Sequence, residues 1–251
     1  MNARERISDT YQKMNEMADT LRALADDLED TAEGLMYIQT EEVQQTEPLA
    51  GFAEAHKLLH SGKRPALGQM IHTTLADGRV AKWRIIDNTS MGALAGSGVR
   101  PVVTQLVEIL DYRPFSRPDK AHPWGWNNYE ASELAAWLDD EFAKLLPDDD
   151  YQCIISRGDL NAWHRHIWLL SAEEAGYGDL DKAFAWYACE DEEERDKRRQ
   201  LLDSDGDAAG WWLRTPYASY ANYVRYVGAD GTLYNNTANY AIGVAPACII
   251  G

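Results

Sequence analysis

The chain has 251 residues, 45% of them hydrophobic and 26% charged, enough to bury a core in one large or two small domains and to exclude a disordered polymer. Forty-one Asp and Glu against 24 Lys and Arg leave a formal charge of −17, a surface that repels phosphate backbones, so nucleic acid is not an expected partner. No stretch approaches the roughly 20 apolar residues of a membrane-spanning helix, so no membrane insertion is expected. Met1 to Arg6 has neither the basic nor the apolar region of a secretory leader, which makes the cytoplasm the expected starting compartment.

From Ile7 onward apolar residues recur every seven positions. Ile7, Met14, Leu21, Leu28 and Leu35 form one row, and Thr10, Met17, Leu24, Thr31 and Ile38 the row three later. Eight of these ten are apolar and no Pro interrupts them, which predicts a coiled-coil helix over about 5–40 and a homo-oligomer joined through residues 7–38. Thr at two d positions and Ala18, Ala25 and Ala32 at e favour a trimer slightly over a dimer. The alternative is one long helix packing on its own domain. Residues 1–45 are therefore read as helix and linker, and 46–251 as the globular domain.

Leu49 to His60 reads as an amphipathic helix closed by Ser61-Gly62. Lys82–Asp87 and Val102–Leu110 read as strands, because β-branched residues cluster between turn signals. Ser132 to Leu145 reads as a helix capped by Ser132, with Leu134, Trp137, Leu138, Phe142 and Leu145 at threes and fours. Ile167–Leu170 reads as a buried strand and Ala172–Ala175 as a short helix after Ser171, while Glu190–Arg199 reads as a solvated helix or loop. Trp211–Arg214, Val224–Val227 and Val244–Ile250 read as strands, with Gly228-Ala229-Asp230-Gly231 as a hairpin turn. Early helices, late short strands and no βαβ alternation predict an α+β fold.

Few residues point to chemistry. Cys153, Cys189 and Cys248 are odd in number and far apart, which fits reduced thiols rather than a disulfide framework or a zinc site. His164-Arg165-His166 puts two imidazoles on one face of a possible strand, but no third metal ligand is nearby. Asp203-Ser204-Asp205-Gly206-Asp207 opens like a calcium loop, yet Ala208 and Arg214 occupy the sixth and twelfth positions where that loop needs Gly and Glu. An acidic turn is the default there and a structural calcium the alternative; no other cofactor is expected. Nucleophile elbow, P-loop and G-x-G-x-x-G are absent. Trp124-Gly125-Trp126-Asn127-Asn128-Tyr129 could stack on a sugar or a peptide, or pack a loop onto the core.

The informative window is Tyr217–Gly243. Its 27 residues include six Tyr and four Asn but no Lys, Glu, Gln, Trp or Met, although those five types make up 49 of the 251 residues. A Tyr- and Asn-rich, nearly uncharged segment is what recognition loops use: Tyr gives contact area at low entropy cost and Asn adaptable hydrogen bonds. The Tyr and Asn spacings follow neither a period of two nor of 3.6, so loops are expected.

Three blocks carry a resemblance: Trp211-Trp212-Leu213-Arg214-Thr215-Pro216, Val224 to Leu233 with Asp230-Gly231, and Gly243-Val244-Ala245-Pro246-Ala247. Together with the Trp137-Leu138 helix and Leu169-Leu170-Ser171-Ala172-Glu173-Glu174, they are similar to a C-type-lectin-like domain family of phages and bacteria over about residues 66–251. Ala245 stands where that family's pattern has Arg. The tail from about 211 to 251 resembles the variable proteins of diversity-generating retroelements, whose adenine-directed mutagenesis rewrites Asn codons to Tyr, Ser, Thr, Ala, Ile, Asp or Gly but never to Lys, Glu, Gln, Trp or Met. The resemblance implies variable, ligand-binding positions at Tyr217, Ser219, Tyr220, Asn222, Tyr223, Tyr226, Tyr234, Asn235, Asn236, Thr237, Asn239, Tyr240 and Ile242. Val224, Arg225, Asp230, Gly231 and Leu233 would be scaffold. The implied protein is a non-enzymatic binder of a protein or cell-surface ligand, either a phage tail component, present in the virion or in the host cytoplasm before assembly, or a bacterial surface protein. A structural phage assembly subunit is the alternative. A formylglycine-generating-type enzyme is a weaker one, because the three cysteines suggest no active-site pair.

Overall fold

The computed structural model describes residues 47–89, 98–160 and 166–251, all within the unit Thr46–Gly251. The expected coiled coil over 5–40, its seam over 7–38, and His164 lie outside the described residues. The described fold is α+β. Among those residues no helix is long and apolar enough to cross a membrane.

The chain enters through β1 (Leu49–Ala50), whose residues pair in parallel with Ile71 and His72. The expected helix therefore starts late, as α1 (Phe52–His60). The reason is Asp150, whose buried carboxylate accepts from Ala53 N at 2.8 Å and lies 2.7 Å from where a Cβ on Gly51 would be. That charge caps the first turn from a distant part of the chain, and Gly51 at φ +88° leads into it. Ser61 and Gly62 close the helix as expected. β2 (Met70–Thr74) and β3 (Val80–Asp87) form an antiparallel pair, and β4 (Val102–Leu106) lies on the other side of β3. The strand expected over Val102–Leu110 is broken at Val107, because β5 (Glu108–Ile109) leaves for another sheet and β6 (Tyr112–Pro114) for a third.

Ser132 caps the next helix as its sequence implies, with Oγ accepting from Ala135 N at 3.1 Å. The helical run is not uniform: α2 (Glu133–Trp137) passes into a wider π-turn over Leu138–Phe142 and a tight 3₁₀ turn over Ala143–Leu145. α3 (Asp148–Tyr151) and β7 (Ile154–Ile155) follow, then β8 (Ile167–Leu169). The helix expected at Ala172–Ala175 is a turn. Ser171 and Glu174 form a reciprocal capping box, Ser171 Oγ accepting from Glu174 N and Glu174 Oε2 from Ser171 N, but Gly176 at φ +75° ends it at once. α4 (Glu192–Arg199), capped by Asp191, is the charged stretch expected to be solvated. Its last residue corrects that: Arg199 is buried, donating to Ala175 O and Gly176 O and pairing with Asp196 at 2.7 Å.

β9 (Leu201–Asp203) and β10 (Ala208–Ala209) complete a three-stranded sheet with β5. β11 (Trp211–Pro216), β12 (Tyr223–Val227), β13 (Leu233–Thr237) and β14 (Ala241–Gly243) form a five-stranded sheet in the order β13-β12-β11-β14-β6. β15 (Pro246–Ile250) is shorter than the expected Val244–Ile250 and inserts between β4 on one side and β7 and β8 on the other, in a seven-stranded sheet. Trp83, Trp168, Trp211, Trp212, Phe52, Phe115 and Phe142 are wholly buried. Each contributes on the order of 2–3 kcal/mol by leaving water.

Candidate functional site

The tyrosine window is not a set of loops. Antiparallel pairing of Tyr223 with Thr237, Arg225 with Asn235, Tyr226 with Tyr234 and Val227 with Leu233 makes more than half of it a hairpin. The period-two signal fails because Val224 and Val227, of opposite parity, are both buried. Around these buried residues the hairpin opens to water: Tyr234 and Asn235 are exposed, and Tyr223, Arg225, Tyr226, Asn236 and Thr237 are partly so. The expected turn is present: Gly228 N donates to Thr232 O, and Gly231 stands at φ +84° with Asp196 O only 2.0 Å from where its Cβ would be. No other residue type fits there. The Asp230 carboxylate accepts from Thr232 N and Oγ1 and from Tyr234 OH at 2.9–3.0 Å. These bonds, the Thr232 amide first, hold it below the usual carboxylate range.

A row of rings crosses the sheet from core to solvent. Phe115 meets Trp212 at 5.8 Å, Trp212 meets Tyr226 at 6.0 Å, and Tyr226 stacks on Tyr234 at 5.8 Å. Burial, then Tyr234 and Asp230, pushes the Tyr226 hydroxyl up. Burial falls along the row: Phe115 and Trp212 are sealed, Trp212 fixed by Nε1 donating to Arg113 O at 2.9 Å, whereas Tyr234 is 45% exposed.

Between β11 and β12 the chain closes on itself, with Tyr217 N donating to Tyr223 O at 2.9 Å. The Asn127 amide nitrogen lies 3.0 Å from Tyr220 O and from Tyr223 O and 3.4 Å from Tyr217 O, while Asn127 N donates to Ala221 O. Tyr217, Tyr220 and Tyr223 then gather into a ring cluster with centroids 5.5–6.3 Å apart, and the Arg225 guanidinium lies 4.6 Å over Tyr217. The turn after β13 is held in the same way: Ala238 N donates to Asn222 O, Ser116 N to Ala238 O, and Asn239 N to Trp124 O.

Of the thirteen expected positions, Ser219, Tyr220, Tyr234, Asn235 and Tyr240 are exposed, and Tyr217, Asn222, Tyr223, Tyr226, Asn236, Thr237 and Asn239 are partly so. These twelve lie on the hairpin and its two flanking turns. Ile242 is the exception: at 9% exposure it pairs with Arg113 in β14 and faces the core. Of the five residues read as scaffold, Val224 and Gly231 are buried, Arg225 and Leu233 are partly exposed and Asp230 is exposed.

Sequence reasoning did not find the ion network that anchors β11. Arg214 in β11 pairs bidentately with buried Glu174 and also donates to Leu169 O at 2.8 Å. Arg157 Nη2 reaches the same carboxylate at 2.7 Å and holds Asp159. Burial works to raise the Glu174 carboxyl, but the hydrogen bonds and charges of Arg214 and then Arg157 outweigh it and hold it below the usual range. Thr215, next in β11, accepts from Ala172 N at 2.8 Å. The segment entering the tyrosine cluster is thus tied to the Ser171–Gly176 turn. Asn127 was legible only as part of an aromatic loop, with no signal for its stapling role.

Elsewhere Cys153 and Cys248 are buried and Cys189 half-buried, all free; burial pushes the Cys248 thiol up to about 12. In the acidic turn the Asp203 carboxylate is occupied by Tyr112 OH and the amides of Asp205 and Asp207. Among the described residues no group of three or more His, Cys, Asp or Glu could hold a metal ion. Two clefts of about 270 and 250 Å³, one beside Arg113, Arg117 and Trp137 and the other beside Tyr177 and Arg199, are lined by none of the thirteen positions.

A family model described as a domain of unknown function, DUF6273, matches residues 103–251. No curated protein and no solved structure matches the chain.

Proposed function

We propose that this chain, which belongs to the DUF6273 family, is a non-enzymatic recognition protein that displays diversified side chains on a rigid C-type-lectin-like scaffold. The carrying observation is the separation of roles along one hairpin. Twelve of the thirteen positions named for diversification reach solvent, while the residues between and beneath them, Trp212, Val224, Val227, Gly231 and Ala238, are buried. A change at the first set alters the contact surface, and a change at the second alters the fold. The C-type-lectin-like reading is supported by Arg214 of the W-W-L-R-T-P block meeting Glu174 of the L-L-S-A-E-E block, two stretches 40 residues apart.

In this reading the N-terminal helix multimerises the domain, a trimer being slightly favoured over a dimer, and linked copies offset a weak single site by rebinding at high effective concentration. The ligand is a protein or cell-surface molecule, and the setting is a phage tail or a bacterial surface. The test is a library in which the twelve solvent-reaching positions are randomised together. Most members should resist protease as the parent does, and a triple change of Tyr220, Tyr223 and Tyr240 to Ala should keep the melting temperature within about 3 °C. Loss of the folded state in most members would show that the tyrosines are core and would end the reading.

A further inference from the structure

The loop Trp124–Asn127 lies between the two halves of the tyrosine face. Asn127 holds the carbonyls of the 217–223 turn, and Trp124 O accepts from Asn239 at the other turn. Gly125, at φ +77°, brings the loop so close that a Cβ would lie 2.4 Å from Ser116 O and 3.0 Å from the Ala238 Cβ. Pinned on both sides, the loop still leaves Trp124 61% and Trp126 38% exposed, beside Tyr220 at 59% and Tyr240 at 61%. Trp126 lies flat against His122, centroids 4.9 Å apart and planes 1° from parallel. Large rings held open to water by a rigid backbone are a contact surface, not a core.

The chemistry of that surface narrows its ligand. Arg225 and Asp230 are the only charged residues in 217–243, and each is engaged internally, Arg225 over the Tyr217 ring and Asp230 with Thr232 and Tyr234. Asp119, at the base of the tryptophan loop, is turned onto the amides of Ala121 and His122. Within 217–243 the face gives no steering to an ionic ligand, and the exposed charges of Arg117, Asp119 and Lys120 lie at the base of the tryptophan loop rather than on it. The face offers flat rings next to the amides of Asn222 and Asn235, and neither cleft is lined by any of the thirteen positions. The hot-spot side chains of a protein partner are favoured where a pocket anchors them. A sugar ring needs only a flat aromatic face for its C–H side and amides or phenols for its hydroxyl rim. We propose that Trp124 and Trp126 are fixed ligand contacts beside the diversified tyrosines, and that the composite face takes an uncharged oligosaccharide without calcium. This rests on the reading of the tyrosine window as a binding surface.

The full chain is applied, in EDTA, to an array of neutral, sialylated and sulphated glycans that also carries the glycan-free carrier protein. Trp124→Ala and the double variant Tyr220→Ala/Tyr240→Ala are run beside it. The expected result is retention on one or more neutral glycans, indifferent to salt, and about tenfold weaker in Trp124→Ala at an unchanged melting temperature. The double variant should weaken it too. Retention only on charged glycans, equal retention on the bare carrier, or none on any neutral glycan overturns the proposal. If the double variant loses binding and Trp124→Ala keeps it, the tryptophan contacts fail while the tyrosine reading stands. If Trp124→Ala loses binding and the double variant keeps it, the tyrosine reading fails and the composite face with it.

Discussion

Replacing Glu174 by Gln removes the one negative charge that Arg214 and Arg157 share. The buried carboxylate takes two hydrogen bonds from Arg214, one from Arg157 at 2.7 Å and one from Ser171 N at 2.8 Å. Removing one partner of a buried ion pair costs about 3–5 kcal/mol. Arg157 keeps Asp159, and Arg214 keeps the Leu169 carbonyl, so the loss should fall near about 3 kcal/mol. For a domain of this size that lowers the melting temperature by about 6–12 °C. The pH dependence follows from the direction of the shift. Because the folded carboxyl sits below its ordinary 4.5, its stabilisation is complete above that value and disappears as pH falls through the lowered folded value. Calorimetric melts of both proteins from pH 7 down to pH 3 should show a gap that narrows below about pH 4.5. A Gln variant melting within about 1 °C of the parent at pH 7, or a gap that stays constant into acid, would refute the assignment of the Glu174 charge as the centre that holds β11 in place.

Two further outcomes test the scaffold. Asn127→Ala should cost about 1–2 kcal/mol, since it frees the carbonyls of Tyr220 and Tyr223 that its amide holds. Amide exchange should speed up at Tyr217 and Tyr223, whose N–H groups close that turn, and stay unchanged in β15. Gly231→Ala must force a Cβ against the Asp196 backbone at an already left-handed φ of +84°. It should lose at least about 2 kcal/mol in a denaturant titration, more than the strained φ alone accounts for.

What the sequence disclosed, and what it did not, divides by the range of the interaction. The Ser132 cap and the Gly228–Gly231 turn are set by neighbours a few residues apart, and both were readable. The start of α1 was not, because it is fixed by Asp150, some 97 residues beyond Ala53. Likewise the burial of Arg199 follows from the carbonyls of Ala175 and Gly176, which nothing in Glu190–Arg199 reveals. The composition of 217–243 marked the candidate face, since side-chain chemistry does not depend on pairing. Its hairpin was hidden because burial of both Val224 and Val227 erases the alternation. Ile242 came from the resemblance, which does not distinguish a strand residue facing the core from one facing water.

The most direct measurement is to sequence the gene and its downstream flank. A near-identical repeat beside a reverse transcriptase, differing at adenines in the codons for Tyr217 to Tyr240 and sparing those for Val224, Val227, Gly231 and Ala238, is the expected result. A complete genome with no such repeat, or a repeat whose differences fall on the codons of those buried residues, would contradict the account of a diversified recognition face.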